Sequence, residues 1–233
     1  MSRTLIVSMA ATLMACSQGT EQAADTATPA PAPPAPALSG VVGHWSDTTM
    51  DMPAVVANGE KWSGQHARPE LEQASQRLFG AVNDSFIANT SAAGAFPFAV
   101  ATGVDSFASG TLRTQFNLIG GKSDQIAGVL FGLRPTGEYY YVRYNTKDGN
   151  VALWQFANGE RKVIKHGDEH KQLPLGTWHE LVVQVSGRNV RGHIAGDTTI
   201  SVEHTLAVDP VGRVGVWVKR DAITGFREFR ASP

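Results

Sequence analysis

Thr111-Leu112-Arg113-Thr114-Gln115-Phe116-Asn117-Leu118 alternates polar and apolar residues, with Leu112, Phe116 and Leu118 spaced for one buried face. A period of two marks a strand with one face in a core and the other toward water. Similar short runs recur down the chain: Val129 to Arg134, Tyr139 to Tyr144, Val151 to Phe156, Trp178 to Val185, Arg191 to Ala195, Thr198 to Glu203 and Gly212 to Val218. Turn signals separate them: Pro135-Thr136-Gly137, Lys147-Asp148-Gly149-Asn150, Asn158-Gly159, Ser186-Gly187-Arg188-Asn189 and Ala195-Gly196-Asp197. Evenly spaced short strands with Gly/Asn/Asp turns predict an all-β, two-sheet antiparallel sandwich. Asn158-Gly159 is the strongest hairpin signal, because its turn needs positive φ.

Finer features follow from the same pattern. Gly128, Gly132, Gly212 and Gly215 remove side chains where strands bend or approach closely. Trp178, Leu181 and Val183 do not share one strict face, which predicts a bulge near His179. Pro69 to Phe79 is the one helical candidate, with Leu71, Ala74, Ser75 and Leu78 on one helix face. Val82 to Gly103 is ambiguous in its pattern.

The N-terminus is of another kind. Arg3 supplies a positive n-region and Leu5 to Met14 an apolar h-region too short to span a bilayer. Leu13-Met14-Ala15-Cys16 then looks like a bacterial lipoprotein signal, whose cysteine thiol is acylated. This implies a signal peptide over 1–15, a lipidated Cys16 and membrane attachment through that lipid. Ser17 follows the cysteine, and by the rule for such lipoproteins this points to the outer membrane. Cys16 is the only cysteine of the 233 residues, and with it acylated no thiol is left for a disulfide, a nucleophile or a metal site. Residues 16–43 form an Ala/Pro-rich linker with almost no large apolar group. It cannot offset its ordering entropy and is expected to be a disordered, semi-rigid spacer. The folded domain is expected over residues 44–233. With Lys+Arg 20 against Asp+Glu 21 and no long basic run, nucleic acid is not an expected partner.

Several runs together resemble a known family. They are Ala127-Gly128-Val129-Leu130-Phe131-Gly132, Tyr139-Tyr140-Tyr141-Val142-Arg143-Tyr144-Asn145, Asn150-Val151-Ala152-Leu153-Trp154 and Asn158-Gly159-Glu160-Arg161. Gly176-Thr177-Trp178-His179-Glu180-Leu181 and Gly212-Arg213-Val214-Gly215-Val216-Trp217-Val218-Lys219-Arg220-Asp221 continue the match. The chain is similar, over about Phe107 to Phe229, to concanavalin-A-like (laminin-G-like) jelly rolls of bacterial envelope proteins, of the 3-keto-disaccharide hydrolase type and family-16 glycoside-hydrolase-like. The resemblance implies two stacked antiparallel sheets, a concave outer face and an association with sugars. It departs at Gly225-Phe226-Arg227-Glu228-Phe229, where the family usually has Phe-Asp, so no role passes to an acid there.

Strand parity then assigns faces. With Val214, Val216 and Val218 inward, Trp217 and Lys219 point outward. With Tyr140, Val142 and Tyr144 inward, Tyr139, Tyr141, Arg143 and Asn145 point outward. Trp154 opposes Val151 and Leu153, and Arg134 shares the face of Gly132, opposite Val129, Phe131 and Leu133. One sheet face would present Arg134, Tyr141, Arg143, Trp154, Trp217 and Lys219, a polar-aromatic surface suited to a carbohydrate. The competing reading places both tryptophans in the core and the arginines in cross-strand pairs.

Hydrolysis needs paired carboxyl groups, about 5–5.5 Å apart in a retaining enzyme. The Glu-x-Asp-x-x-Glu pattern of true family-16 enzymes is absent. Glu70-Leu71-Glu72 lies outside the matched strands, and Asp168-Glu169 would splay apart. A pair drawn from distant strands would involve Asp124, Glu138 or Asp221. His166-Gly167-Asp168-Glu169-His170 reads as a loop rather than a metal-binding helix. Laminin-G-like folds leave calcium open, but Asp148-Gly149-Asn150 lacks acid density, and no cofactor is expected. There is no phosphate-binding glycine loop and no Gly-x-Ser-x-Gly elbow. The expectation is a lipid-anchored protein that binds a glycan or similar polar ligand without catalysis. The alternatives are a divergent glycoside hydrolase and a module that contacts other envelope proteins.

Overall fold

The computed structural model describes residues 38–42, 55–58, 67–93, 96–101 and 103–233, the first two segments through their backbone. The signal segment, Cys16 and the linker as far as residue 37 lie outside the described residues. The strands are β1 (Leu38–Val42), β2 (Val55–Asn58), β3 (Phe98–Ala101), β4 (Gly110–Gly120), β5 (Ile126–Leu133), β6 (Tyr139–Asn145) and β7 (Asn150–Ala157). They continue as β8 (Glu160–His166), β9 (Trp178–Ser186), β10 (Asn189–Ile194), β11 (Asp197–Thr205), β12 (Arg213–Trp217) and β13 (Ile223–Ser232). Two helices, α1 (Arg68–Phe79) and α2 (Asp84–Ala92), fall between β2 and β3.

The strands form two antiparallel sheets, the all-β sandwich expected from the period-two pattern. The larger runs β1-β3-β12-β5-β6-β7-β8 and the smaller β11-β10-β9-β4-β13-β2. Between them lies one apolar core: Val129, Phe131, Val142, Tyr144, Leu153, Val214 and Val216 from one side, Leu112, Phe116, Leu181, Val183, Val190 and Phe226 from the other. Residues 38–42, which the sequence places in the linker, form β1 and pair with β3.

A second apolar cluster lies on the opposite face of the larger sheet. Leu71, Ala74 and Leu78 of α1 and Phe86 and Ile87 of α2 pack there with Phe98, Leu130, Tyr139, Phe156 and Trp217. The expected face of α1 is the buried one, Leu71, Ala74, Ser75 and Leu78. Pro69 opens the helix where an N–H would be unpaired, and Gly80 ends it at φ 74°. Within Val82 to Gly103, Asn83 caps α2 by accepting from the N–H groups of Ser85 and Phe86 at 2.9 and 3.3 Å. Asn89 fastens α2 to the sheet. Its Nδ2 donates to Thr136 O at 2.7 Å, and its Oδ1 accepts from the Gly159 N–H at 2.6 Å.

Two local expectations change. No bulge occurs at His179: β9 pairs with β4 without interruption, Phe116 opposite His179 and Asn117 opposite Trp178. His179 faces inward against the Phe116 ring, centroids 5.7 Å apart. Trp178 faces outward, where the Arg227 guanidinium lies 4.0 Å from its ring centroid. The irregularity falls instead at Gly132, whose φ of 63° accompanies a register shift between β5 and β12. That shift reverses parity, so Leu133 joins the helix-side cluster while Val129 and Phe131 stay in the inter-sheet core.

Candidate functional site

The helices cover one end of the outer face of the larger sheet. At the other end is a pocket of about 420 Å³. The strand pairing explains the space. Trp217 on β12 pairs with Gly128 on β5, Gly128 with Arg143 on β6, Arg143 with Ala152 on β7 and Ala152 with His166 on β8. Small residues at Gly128 and Ala152 flank Arg143 and leave a depression. A Cβ on Gly128 would stand 3.0 Å from Trp217 Cε3, so the glycine is what lets that indole lie down across the sheet.

Tyr141, Arg143, Trp154, Trp217 and Lys219 all line this pocket, with Asp124, Asn145, Lys147, Asp148, Arg161 and His166. Arg134 does not. It lies beyond the Gly132 bulge, in the β5–β6 turn, where its Nη2 donates to Asp209 O at 3.2 Å. Unbroken alternation through Gly132 would put Arg134 on the pocket face, but the positive φ at Gly132 breaks it.

Burial separates the five pocket residues by role. Trp217 and Tyr141 are 0% and 1% exposed, against the expectation of outward rings offered to a ligand. The rings lie on the assigned face but are covered there. Trp217 stacks on Tyr141 with centroids 4.0 Å apart and on Phe96 at 6.2 Å. Arg143 is buried and engaged: Nη1 donates to Asn150 O and Oδ1 at 3.1 and 2.7 Å, and Nη2 to Asp148 Oδ2 at 2.8 Å. Lys219 is buried and donates to Asp124 Oδ1 at 3.2 Å. Trp154 is half-buried, and the Arg161 guanidinium lies 4.7 Å from its ring centroid. The His166 ring meets Trp154 edge-on at 6.0 Å.

Among the described residues, some polar atoms of the wall have no hydrogen-bond partner. They are the Trp154 indole N–H, the Tyr141 hydroxyl and Asp124 Oδ2, together with the Trp217 indole N–H. Burial pushes the Tyr141 phenol up to about 12, against the opposing positive charge of Arg161, so at neutral pH it keeps its proton and is an O–H donor. Burial also lowers Lys219, helped by the charge of Arg161 and opposed by Asp124. The pocket thus holds donors and a carboxylate oxygen without hydrogen bonds, and several cations.

Asn145, assigned outward, lines the pocket, while Arg161, His166, Asp124, Asp148 and Lys147 are pocket residues that the face assignment leaves out. Arg161 was within reach of it. The Asn158-Gly159 turn, with φ 53° and 76°, pairs Phe156 with Arg161 across β7 and β8 and so puts Arg161 on the outer face. Asp124 arrives through a loop: the Asp221 carboxylate accepts from the N–H groups of Lys122, Ser123 and Asp124 at 2.5, 2.8 and 3.1 Å. Of the acids considered for catalysis, only Asp124 lines the pocket. Among the described residues, no three His, Cys, Asp or Glu side chains gather as a metal site. The 166–170 loop brings only His166 to the pocket, while His170 Nδ1 lies 2.9 Å from Asp148 O.

The architecture has solved counterparts. A carbohydrate-binding module, CBM66 from Bacillus subtilis, is similar with a TM-score of 0.52 and 17% identity, over 59% of this chain and 83% of that one. The fold is a concanavalin-A-like jelly roll. Sheep galectin-11 in complex with glycerol has a TM-score of 0.35 and 16% identity, over 55% of this chain and 95% of that one. A Bacillus licheniformis β-glucanase has a TM-score of 0.38 and 10% identity, over 57% of this chain and 68% of that one. No protein-family model matches the sequence. No curated protein matches it either.

Proposed function

We propose that this protein binds a glycan or similar polar ligand in the pocket of the larger sheet, without catalysis, while tethered to a bacterial envelope by a lipid on Cys16. One observation carries the binding reading: the pocket wall holds the Trp154 N–H, the Tyr141 O–H and Asp124 Oδ2, all buried and without a hydrogen bond among the described residues, Arg220 Nη1 standing 3.9 Å from Asp124 Oδ2. A buried polar group without a partner costs about 1–3 kcal/mol, and native proteins keep few of them. Ligand hydroxyls, which both donate and accept, would satisfy donors and acceptor together. The likeness in fold to a carbohydrate-binding module is consistent with this reading.

Anchoring rests on the sequence: the short apolar segment, Cys16 and the Ala/Pro spacer. The outer membrane follows from Ser17 by the lipoprotein rule. The finer likeness to 3-keto-disaccharide hydrolase-type domains rests on the motif runs alone.

The test is a glycan array probed with the protein and its Trp154→Ala variant, with reducing ends measured after incubation with every bound glycan. Binding that Trp154→Ala loses, without new reducing ends, supports the reading. Silence across the array contradicts it. A divergent hydrolase is favoured by one fact, that Asp124 and Asp148 line the same pocket. Both are ion-paired, to Lys219 and Arg143. Release of reducing ends that Asp124→Asn abolishes would decide for it.

A further inference from the structure

Neutral sugars are usually gripped by an aromatic face laid against the apolar side of the ring. This pocket has its aromatic faces occupied. Trp217 is sandwiched by Tyr141 and Phe96, centroids 4.0 and 6.2 Å away. Trp154 has the Arg161 guanidinium over its ring and stacks on Tyr141, centroids 6.2 Å apart and planes nearly parallel at 8°. What remains open to a ligand is charge and hydrogen-bond donors.

The charges do not balance. Arg143, Lys147, Arg161 and Lys219 line the pocket against Asp124 and Asp148. Each acid has its cations: Asp148 holds Arg143 at 2.8 Å, and Asp124 holds Lys219 at 3.2 Å with Arg220 at 3.9 Å. Arg161 and Lys147 form no ion pair among the described residues, and Lys147 donates to the Lys122 carbonyl. Arg161 is positioned by the Phe96 and Trp154 rings, 5.0 and 4.7 Å from its Cζ. The rings attract the cation but do not use up its in-plane N–H groups. A planar guanidinium is the side chain best matched to a carboxylate, through two parallel hydrogen bonds.

The neighbours of Arg161 feel its uncompensated charge. Lys219 and Arg143 are both lowered, by burial first and by Arg161 as a further cause. An anion seated among these cations would relieve that repulsion. The unpaired Trp154 N–H and Tyr141 O–H add two neutral donors on the same wall.

We infer that the ligand is an acidic glycan, in which a sugar carboxylate is held by Arg161 with Lys219 and Lys147 beside it and the hydroxyls fall to Trp154, Tyr141 and Asp124. The inference rests on the glycan-binding reading and narrows it to uronate-type sugars.

An array carrying neutral, uronate-bearing and sulfated glycans tests it, with wild-type protein, Arg161→Gln and Lys147→Gln probed at low and high salt. The expected result is binding concentrated on uronate-bearing glycans and weakened by salt, as exposed charges are screened within about 8 Å at physiological ionic strength. Arg161→Gln should reduce the preference for uronate over the matched neutral glycan roughly ten-fold or more. Lys147 is exposed, so its replacement keeps the test open if Arg161→Gln does not fold; it should lower the same ratio by a smaller factor. Binding to neutral glycans as strong as to uronates, or to sulfated glycans alone, would overturn the inference and leave glycan binding standing. Silence on every glycan would overturn both. A uronate preference unchanged in folded Arg161→Gln and in Lys147→Gln would overturn the assigned cation cluster.

Discussion

The Trp217 indole lies on the Tyr141 phenol, ring centroids 4.0 Å apart and planes 21° apart, and both side chains are buried on the outer face of the larger sheet. The stack ties β12 to β6 across the small residue Gly128 and forms a wall of the pocket. Trp217→Ala should therefore cost about 3–5 kcal/mol, the range for a fully buried aromatic truncated to alanine. Trp154 is only half-buried, and its replacement should cost less stability while removing ligand binding. Denaturant unfolding of the two variants separates them. Equal, small losses would mean that Trp217 is not held in the stack.

Arg143 should behave as a structural residue. It joins β6 to the β6–β7 turn through Asn150 and Asp148. Arg143→Met should cost on the order of 2 kcal/mol, as for hydrogen bonds to a charged group. Arg161→Gln, whose guanidinium forms no ion pair among the described residues, should cost much less. Comparing the two melting midpoints checks this, and a larger loss for Arg161 would reverse the assignment.

Stability should fall with acid in two stages. His179 Nε2 and His193 Nδ1 are buried without a hydrogen-bond partner among the described residues. Burial holds both imidazoles below the usual histidine range, and for His193 the charges of Arg191 and Arg113 add to this against Glu180. A histidine depressed in the folded state binds fewer protons there than in the unfolded chain. Its contribution is complete above about pH 6.5 and is lost as pH falls through the folded-state value. Asp221 is held below the carboxylate range by the Ser123 N–H, with those of Lys122 and Asp124 adding. Its contribution is present above about pH 4 and is lost below that. Melting midpoints from pH 8 downward should show the first decline, and His193→Gln should flatten it. A midpoint independent of pH down to about 5 would contradict the burial of the two histidines.

The anchor is tested on the chain itself. Cys16→Ser should abolish incorporation of an alkyne fatty acid and release the protein from membranes, since a single apolar segment of that length cannot hold it as a span. Label retained in the variant would exclude Cys16 as the acylated residue.

The fold was legible wherever period two ran unbroken. Residues 111–118, 139–144, 151–156 and 178–185 all lie in strands with the inward faces expected of them, His179 apart. β8 was missed because Glu160, Lys162 and Lys165 leave it little apolar alternation, and β13 because Glu228, at φ 52°, sits within a register shift that separates Phe226 from Phe229. α2 has only Phe86, Ile87, Asn89 and Thr90 to bury, too few for a clear helical stripe. The site was legible as a face but not as a pocket. Parity assigned Tyr141, Arg143, Trp154, Trp217 and Lys219 to one side. It could not show that α1, α2 and Phe96 bury much of that side, nor that Gly132 sends Arg134 elsewhere. Asp124 and Arg161 depend on the Asp221 loop clamp and the β7–β8 register, which are long-range pairings.

The most direct test of ligand binding in this pocket is the nitrogen–proton spectrum of the tryptophan indoles during titration with the best array glycan. Trp154 offers an unpaired N–H to the pocket, while Trp178 lies under Arg227 on the other sheet and serves as an internal reference. Saturable movement of the Trp154 indole signal, assigned by its loss in Trp154→Phe, with the Trp178 signal stationary, is the expected result. A stationary Trp154 signal while the glycan binds, or movement confined to Trp178, would place the ligand elsewhere and contradict the assignment.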